Sequence, residues 1–431
     1  MIVAAALSVH TLLARPDVAT WRARQVVLIS IDTLRADRLG TYGYKAQPTS
    51  PNVDALAQQS VVFDRAYAAA PWTIPSLAAV QTGRYPVEVG AYTNADTLTE
   101  NAITLAELFH QKGVATAMFS THAVLVSERG GFRQGFDTVV PEHLVPLVAG
   151  EHKASFAASE PALMAWLEAH AKDPFFVWIH DMSPHLPKTD GNPWLTTPGW
   201  GRYDAEVRNS DDLIGRVLRK LAELRIGNDL LVIVVADHGE AFGDEHGLTG
   251  HQDVMYDEVL RVPLLIGAPV FEPRRVAEPV ELVDLYPTVA ALAGLPVPPE
   301  VRGESLVPLL AGTRDARSHP YAFHMRFFFE NDDSTHWLAV RDGEWKLLAK
   351  TPDHGHDGPP GWDLGDRKTY FELYRTADDP GEQHDLFESH PEQVARLRHV
   401  FEEWTTSLAA KPARVEADDA TREHLRALGY E

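Results

Sequence analysis

Continuous apolar runs that end in acidic or histidine residues are the clearest pattern in this chain. QVVLISI (25–31), PFFVWIH (174–180) and DLLVIVVA (229–236) are rich in β-branched and aromatic residues, and shorter runs follow at 114–120 and 262–268. Uninterrupted runs of this kind are typical of strands that are buried on both faces of a sheet. The pattern therefore predicts a central sheet that contains these segments.

Segments with a helical spacing of apolar residues lie between the predicted strands. They cover 53–59, 75–81, 104–111, 162–171 and 205–224. Alternating strands and helices indicate an α/β fold with a mostly parallel sheet. Ligands of such sheets bind beyond the carboxyl ends of the strands. In this chain Asp32, Asp237 and His238 occupy such positions.

The C-terminal part of the chain has a different pattern. WLAVRDGEWKLLA and YFELYRT alternate over short runs, which predicts a small antiparallel sheet, and 391–410 predicts a final amphipathic helix. The chain has 431 residues, more than one ordinary domain holds. We expect an N-terminal apolar extension at 1–23, a main domain at 24–316 and a C-terminal subdomain at 317–431.

The net charge and the lack of cysteine limit the partners that the protein can bind and the chemistry that it can use. The formal net charge of -22 disfavours nucleic acid, although a bound metal ion could still attract an anionic substrate. The absence of cysteine excludes disulfides, thiolate metal sites and a cysteine nucleophile. The apolar start, MIVAAALSVHTLLA, is shorter than the ~20 residues that span a bilayer and lacks a positive leader. A cleaved signal, the remnant of a membrane anchor and a plain extension stay open. We favour export or anchoring, and so a periplasmic, secreted or membrane-anchored location.

Thr73 precedes Ile74 and Pro75 at the start of a predicted helix, and two interpretations are open. Threonine is a favoured N-cap, and Pro75 and Gly83 suit the first turn and the end of a helix, so the local sequence alone favours a capping role. The other interpretation is a nucleophile, because a helix N-terminus favours an anion. Threonine is a weak nucleophile, so this role requires a base or a metal ion.

A metal ion could be held by the residues at the strand ends. Asp32, Asp237 and His238, with the Thr73 oxygen, would form a mixed oxygen and nitrogen site, although a strand-end Asp is also common in turns. Four more histidines follow the predicted strands: His180, His185, His246 and His251. Of these, His180 and His246 are candidates for surface positions.

Several segments, taken in order, resemble the sulfatases of the alkaline phosphatase superfamily. They are SIDTLRADRLGTYGY, TSPNVDALAQQSVVFDRAYAAAPWTIPSLAAVQTGRYP, ADHGEAFGDE, GHQDVMYDEVLRVPLL, VDLYPTVAALAGLPVP, ELYRTADDPGEQHDL and LRALGY. The resemblance covers nearly the whole chain from about residue 24. It implies an alkaline-phosphatase-like fold, a sulfatase-like catalytic domain at 24–316 and a hydrolase of ester bonds. It also implies one divalent ion held by Asp32, Asp237 and His238, with Thr73 at the nucleophile position.

The chain departs from the sulfatase pattern at the nucleophile and at the metal ligands. Sulfatases carry a Cys or Ser that becomes formylglycine, followed by x-Pro-x-Arg, whereas this chain has TIPSL at 73–77. Asp32-Thr33 and Asp237-His238 stand where many sulfatases have Asp-Asp and Asp-Asn. Fewer carboxylates and an added imidazole favour Mn²⁺ or Zn²⁺, with Ca²⁺ and Mg²⁺ as alternatives. These features resemble relatives that keep a plain threonine, namely phosphodiesterases and phosphoglycerol or phosphoethanolamine transferases.

We therefore expect a metal-dependent hydrolase of phosphate or sulfate esters that forms a covalent intermediate on Thr73, with phosphate mono- and diesters favoured. His185 and His251 are candidate acid or base groups, or ligands of a second ion. His251 stands where many sulfatases have a lysine. The weaker candidates for contact with the anionic ester are Asn94, His122 and Arg84. Three alternatives stay open: a sulfuric ester hydrolase without formylglycine, a phospho-group transferase, and a non-catalytic binding protein on a sulfatase scaffold.

Overall fold

The computed structural model describes residues 15–128, 130–140, 156–185, 201–251, 254–314, 317, 321–330, 333–352 and 370–408. The strands in these residues are β1 (Gln25–Ile31), β2 (Val61–Tyr67), β3 (Ala115–Ser120), β4 (Thr138–Val139), β5 (Phe175–Asp181), β6 (Leu230–Ala236), β7 (Ala241–Phe242), β8 (Thr249–Gly250), β9 (Arg261–Gly267), β10 (Arg274–Val276), β11 (Val280–Glu281), β12 (Tyr321–Glu330), β13 (Asp333–Asp342), β14 (Trp345–Pro352) and β15 (Tyr370–Arg375). The α-helices are α1 (Pro51–Ala57), α2 (Thr73–Thr82), α3 (Leu105–His110), α4 (Ala123–Val126), α5 (Glu160–Ala169), α6 (Arg202–Glu223), α7 (Asp257–Leu260), α8 (Leu285–Ala293), α9 (Val307–Ala311) and α10 (Pro391–Ser407).

A large, mostly parallel sheet forms the centre of the molecule. Its strand order is β10-β2-β9-β6-β1-β5-β3-β4, with β11 paired to β2. The middle strand β1 runs parallel to both β5 and β6, and β9 runs antiparallel to its neighbours β2 and β6. Ile31 of β1 is level with Asp181 and Ala236, so these three strands end at the same edge of the sheet. The predicted α/β class and the mostly parallel sheet are confirmed.

Burial explains why the central strands have no polar alternation. Every residue of β1, β5 and β6 is buried, because other structure covers both faces of the sheet. The helix α2 is also buried at every position, whereas α6 is amphipathic and keeps part of its surface in solvent. A helix without a solvent face, next to the carboxyl edge of the sheet, is one of the features that define the site.

The C-terminal strands form a separate antiparallel sheet in the order β12-β13-β14-β15, with α10 packed against β13 and β14. This arrangement was predicted, and it is confirmed. The sheet is joined to the main unit by a hydrogen bond from the Met325 amide to the Ala69 carbonyl oxygen at 2.9 Å. It is also joined by aromatic packing, since the rings of Tyr85 and Trp404 meet edge to face at 5.1 Å.

Two expectations about the ends of the chain are left as predictions. The boundary at residue 316 and the extension at 1–23 are not tested by the structure, and residues 1–14 lie outside the described part. Among the residues that are described, no helix is both long and apolar enough to cross a membrane.

Candidate active site

The helix α2 brings the Thr73 hydroxyl to the carboxyl edge of the sheet. The helix begins at Thr73 and Trp72 holds the N-cap position, so the capping interpretation of Thr73 is wrong. The Thr73 side chain is fully buried. Its Oγ1 lies 3.4 Å from Asp32 Oδ2 and 3.3 Å from His238 Nε2. The hydroxyl therefore faces the groups that the sequence placed at the strand ends.

Two hydrogen bonds fix the first turn of α2 against the rest of the site. The Ile74 amide donates to Asn94 Oδ1 at 2.9 Å, and Ser76 Oγ donates to the Asp237 carbonyl oxygen at 2.6 Å. Asn94 thus anchors the helix that carries Thr73. Its Nδ2 is buried and has no hydrogen-bond partner among the described residues, so this donor is available for an oxygen of a ligand.

The two aspartates follow neighbouring strands, and the backbone after the first of them is strained. Thr33 has a φ of 55°, in the left-handed region that β-branched residues rarely adopt. In this conformation the Thr33 amide donates to Asp237 Oδ1 at 3.3 Å and the Tyr203 hydroxyl donates to the Thr33 carbonyl oxygen at 2.6 Å. The strained turn therefore connects Asp32, at the end of β1, directly to Asp237, at the end of β6.

His238 has a ring orientation that suits a metal ligand. Its Nδ1 lies 2.9 Å from the Gly239 carbonyl oxygen, and a carbonyl can only accept, so Nδ1 carries the proton. The lone pair is then on Nε2, which lies 3.7 Å from both Asp32 Oδ1 and Asp237 Oδ2. A histidine whose other nitrogen is held by a carbonyl is the usual arrangement at metal sites.

His180 is a site residue and not a surface residue, which corrects the sequence analysis. Its side chain is fully buried, and its Nε2 lies 3.6 Å from Asp32 Oδ2. His180 Nδ1 lies 2.8 Å from Ser30 Oγ, which also accepts the indole N–H of Trp178 at 2.9 Å. In the tautomer whose Nδ1–H donates to Ser30, the Nε2 lone pair faces Asp32. His246 is not a surface residue either, since its side chain is only 14% exposed.

The separations between these atoms fit a divalent metal ion better than a hydrogen-bonded cluster. The distances of Thr73 Oγ1, His180 Nε2 and His238 Nε2 from Asp32 oxygens are 3.4, 3.6 and 3.7 Å. Hydrogen bonds are typically ~2.9 Å long, whereas ligands around an ion with bonds of ~2.1 Å are about 3.4 Å apart in a tetrahedron.

Electrostatics lead to the same conclusion. Asp32 Oδ1, Asp237 Oδ2 and His180 Nε2 are buried without a hydrogen-bond partner among the described residues. Burial raises the pKa of Asp32 to about 7 and that of Asp237 to about 6, and burial lowers the pKa of His180 to about 4. A divalent cation would offset the cost of burying both carboxylates. The residues present therefore fit such an ion, and Asp32, His180 and Asp237 can each offer it a ligand atom.

A second group of histidines lies beside the strand ends. The His251 ring is 4.5 Å from the His238 ring and 5.3 Å from the His185 ring, and the His122 ring is 6.2 Å from that of His180. Burial, followed by the neighbouring His251 ring, lowers the pKa of His185 well below its usual range. The groups of three or more close metal ligands in the described residues do not include His185 and His251, so the second ion stays a prediction.

Glu240 is a functional candidate that the sequence analysis did not identify. Its Oε1 accepts a hydrogen bond from His251 Nδ1 at 3.2 Å, which leaves His251 Nε2 with a lone pair. Glu240 follows His238 by two residues in the run Asp-His-Gly-Glu. That run was the only available signal, because the pairing with His251 depends on how the β7–β8 hairpin folds back.

The structure places Arg84 away from Thr73, and its role as a substrate contact stays a prediction. Arg84 follows the end of α2, and Thr73 begins the same helix. A helix of this length rises about 15 Å, so the two residues lie at opposite ends of it. The residues that the structure does bring together are those at the first turn of α2 and at the ends of β1, β5 and β6.

Comparisons with known proteins agree with this architecture. Residues 24–295 match the sulfatase family model, and residues 244–408 match the model described as N-sulphoglucosamine sulphohydrolase, C-terminal. A Delta 4,5-hexuronate-2-O-sulfatase of Bacteroides thetaiotaomicron is 24% identical, over 92% of this chain and 92% of that protein. Human arylsulfatase A is 27% identical, over 85% of this chain and 84% of that protein.

A solved structure has the same fold. The phosphonate monoester hydrolase of Silicibacter pomeroyi superimposes with a TM-score of 0.73 and 21% identity, over 90% of this chain and 96% of that chain. The family match spans more than half of the chain and includes Asp32, Thr73, Asp237 and His238. The chain therefore belongs to the sulfatase family of the alkaline phosphatase superfamily, and it is a hydrolase that acts on ester bonds.

Proposed function

We propose that this protein is a metal-dependent hydrolase of phosphate or sulfate esters that uses the unmodified Thr73 side chain as its nucleophile, with phosphate mono- and diesters as the favoured substrates. The observation that carries the proposal is the position of Thr73 Oγ1. It lies at the first residue of a buried helix, 3.4 Å from Asp32 and 3.3 Å from His238.

Asp32, Asp237, His238 and His180 would hold one divalent ion, with Mn²⁺ or Zn²⁺ favoured by the mixture of carboxylates and imidazoles. When bound, the ion would lower the pKa of the Thr73 hydroxyl and offset the negative charge of the ester. Asn94 Nδ2 would donate to an ester oxygen. This donor is fixed in place, because Asn94 Oδ1 already accepts a hydrogen bond from the Ile74 amide.

The reaction then has two displacements. Thr73 Oγ1 attacks the phosphorus or sulfur atom and the alcohol leaves, taking up one proton for the one that Thr73 loses. Water next attacks the same atom, the bond to Oγ1 breaks, and the threonine hydroxyl is restored. His251 suits the role of base for this water, because its Nδ1–H is held by Glu240 and its Nε2 can accept a proton. His185 is kept neutral by burial and suits contact with an ester oxygen.

One feature supports the preference for phosphate. Threonine carries a single oxygen on Cβ, so its covalent ester must be broken by water, whereas the family's sulfate chemistry relies on formylglycine.

The proposal is tested with p-nitrophenyl phosphate, bis(p-nitrophenyl) phosphate and p-nitrophenyl sulfate, each with Mn²⁺, Zn²⁺ or chelator. We expect chelator-sensitive cleavage of the phosphate esters, lowered at least ~10³-fold in kcat/KM by Thr73→Ala and partly kept by Thr73→Ser. Thr82→Ala is the matched control, since Thr82 lies at the other end of α2 and donates to the Ala78 carbonyl oxygen at 2.7 Å.

Unchanged turnover in Thr73→Ala would show that Thr73 is not the nucleophile. Faster cleavage of the sulfate ester would reverse the substrate preference and leave the nucleophile in place. Bound metal without turnover of any ester would favour a narrower substrate, and neither metal nor turnover would favour a non-catalytic binding protein.

A further inference from the structure

A second group of potential metal ligands lies outside the active site. Glu245 and His246 are in the turn between β7 and β8, and Glu258 is in α7. One ligand atom from each of the three residues lies within 4.8 Å of the others. We propose that Glu245, His246 and Glu258 form a divalent cation site, separate from the active site, that fastens the β7–β8 hairpin to α7. This inference is independent of the ester chemistry proposed above.

His246 presents a lone pair to the cluster. Its Nε2 lies 2.8 Å from the Glu382 carbonyl oxygen, and a carbonyl can only accept, so the Nε2 carries the proton. The remaining nitrogen, Nδ1, is buried without a hydrogen-bond partner in the described residues and lies 3.8 Å from Glu258 Oε1. The ring is stacked on Tyr256 with centroids 3.5 Å apart, which fixes its plane. The arrangement resembles that of His238, where a carbonyl also selects the tautomer.

Glu258 is a buried carboxylate that lacks donors. Its side chain is fully buried, and neither oxygen has a hydrogen-bond partner among the described residues. The nearest cation, Arg35, is 3.6 Å from Glu258 Oε2, but its shorter bonds go to Asp37, at 2.9 and 2.8 Å. A buried carboxylate in this situation either binds a cation or takes up a proton. Burial and the neighbouring Glu245 raise the pKa of Glu258 to about 7, in keeping with a shortage of positive charge.

The cluster has the composition and access that a transition metal ion requires. Two carboxylates and one imidazole suit Zn²⁺ or Mn²⁺. Ligands of a tetrahedral ion with bonds of ~2.1 Å are about 3.4 Å apart, so an inward movement of one side chain by roughly 1 Å would close the site. Glu245 can make this movement because its side chain is 28% exposed, and the same opening leaves room for water ligands.

An ion bound at this cluster would also affect the active site, because of where the hairpin lies. The hairpin that carries Glu245 and His246 begins after Glu240 and ends before His251. These two residues pair with each other next to His238. An ion that holds the turn against α7 would therefore also hold Glu240 and His251 in register.

The test measures metal content and hydrogen exchange in a background that lacks the active-site ligands. In the Asp32→Asn/Asp237→Asn protein we expect about one tightly bound Zn²⁺ per chain after dialysis. Adding His246→Gln, which can still donate to Glu382, should reduce this to about none and speed amide exchange of 241–251 roughly 10-fold. The matched control is His384→Gln, because His384 also pairs with a carboxylate, Asp379 at 3.5 Å, but is 81% exposed.

Two results would overturn the inference. One is a background protein that binds no Zn²⁺ or Mn²⁺, which would leave Glu258 protonated or paired with a charged His246. The other is an ion that stays bound, with unchanged exchange of the hairpin, after His246→Gln. If His246→Gln does not fold, Glu245→Gln replaces it, since that side chain is 28% exposed, and the same losses are expected.

Discussion

Thr33 holds the turn between the two aspartates of the site in a conformation that glycine adopts more easily. Its φ is 55°, and its buried Oγ1 has no hydrogen-bond partner among the described residues. We predict that Thr33→Gly raises the free energy of unfolding by roughly 1 kcal/mol, because a left-handed β-branched residue costs about 1–2 kcal/mol. Urea unfolding measures this change.

The same substitution in a regular strand should have the opposite sign. Thr116→Gly removes a hydroxyl that donates to the Gly135 carbonyl oxygen at 2.7 Å, and it should lower stability. A loss of stability in Thr33→Gly of the same size as in Thr116→Gly would show that the turn is not strained.

At the scale of single residues, the sequence predicted which side chains belong to the site better than it predicted which residues lie beside them in space. Asp32, Thr73 and His238 were candidates because each follows an apolar run or begins a helix, and the structure brings them together. His180 was judged a candidate for the surface, because its burial depends on the alignment of β5 with β1, which places it beside Ser30. Strand register over 150 residues leaves no local trace in a sequence.

The buried helix α2 depends on a close approach at its C-terminal end. Gly83 has a φ of 65°, and a Cβ there would lie 2.8 Å from Val301 Cγ1 and 2.9 Å from Tyr286 Cβ. We predict that Gly83→Ala lowers the free energy of unfolding by about 2–4 kcal/mol, from the strained backbone and the overlap together. Thermal unfolding measures the loss.

Gly113→Ala separates these two causes. Gly113 has a similar φ of 69°, but nothing lies within 4 Å of an added Cβ. Its alanine variant should therefore show the backbone cost alone, about 1 kcal/mol. Equal losses in both variants would mean that Val301 and Tyr286 move aside without cost.

Strands could be predicted from the sequence where every residue of the strand is buried. The apolar runs of β1, β5 and β6 were identified because both faces of these strands are covered. β2 was missed, since Asp64 and Arg65 interrupt VVFDRAY and the pairing with β9 shifts register between Phe63 and Ala66. A bulge lets two polar residues turn outward, and it breaks the alternation that a strand pattern requires.

The molecule as a whole should lose stability in mild acid, and His324 is one source. His324 is buried with Nδ1 2.7 Å from the Ala68 carbonyl oxygen. Burial, then the nearby Arg341 and Lys346, lowers its pKa to about 3. The unfolded chain therefore binds this proton first, and the histidine's contribution to stability, complete above about pH 6.5, is lost as the pH falls towards 3.

His324→Gln should make this loss less steep. The slope should fall by up to about 1.4 kcal/mol per pH unit, measured by urea unfolding between about pH 7 and pH 4. The exposed His384→Gln variant should leave the slope unchanged. A slope in His324→Gln equal to that of the parent would mean that other groups, such as His180 and His185, account for all of the acid sensitivity.

At the level of the whole chain, the sequence predicted two sheets but not how they are joined. The joint contains a buried charge cluster in which Arg341 and Lys346 of the C-terminal sheet pair with Asp257 of the main unit, with Lys346 Nζ 3.1 Å from Asp257 Oδ1. Lys346 also pairs with Glu382 at 2.7 Å. From its neighbours in sequence alone, each of these residues would be predicted to lie on the surface in contact with solvent.

This charge cluster has a consequence for the order in which the protein can mature on the ribosome. Asp257 leaves the exit tunnel long before its partners, which follow 84 and 89 residues later. At translation rates of ~5–20 residues per second, the nascent chain spends several seconds with that carboxylate uncompensated. Because burying it alone would be costly, the hairpin and α7 should stay open until the C-terminal strands arrive. The nascent enzyme should therefore acquire its active centre only late in synthesis.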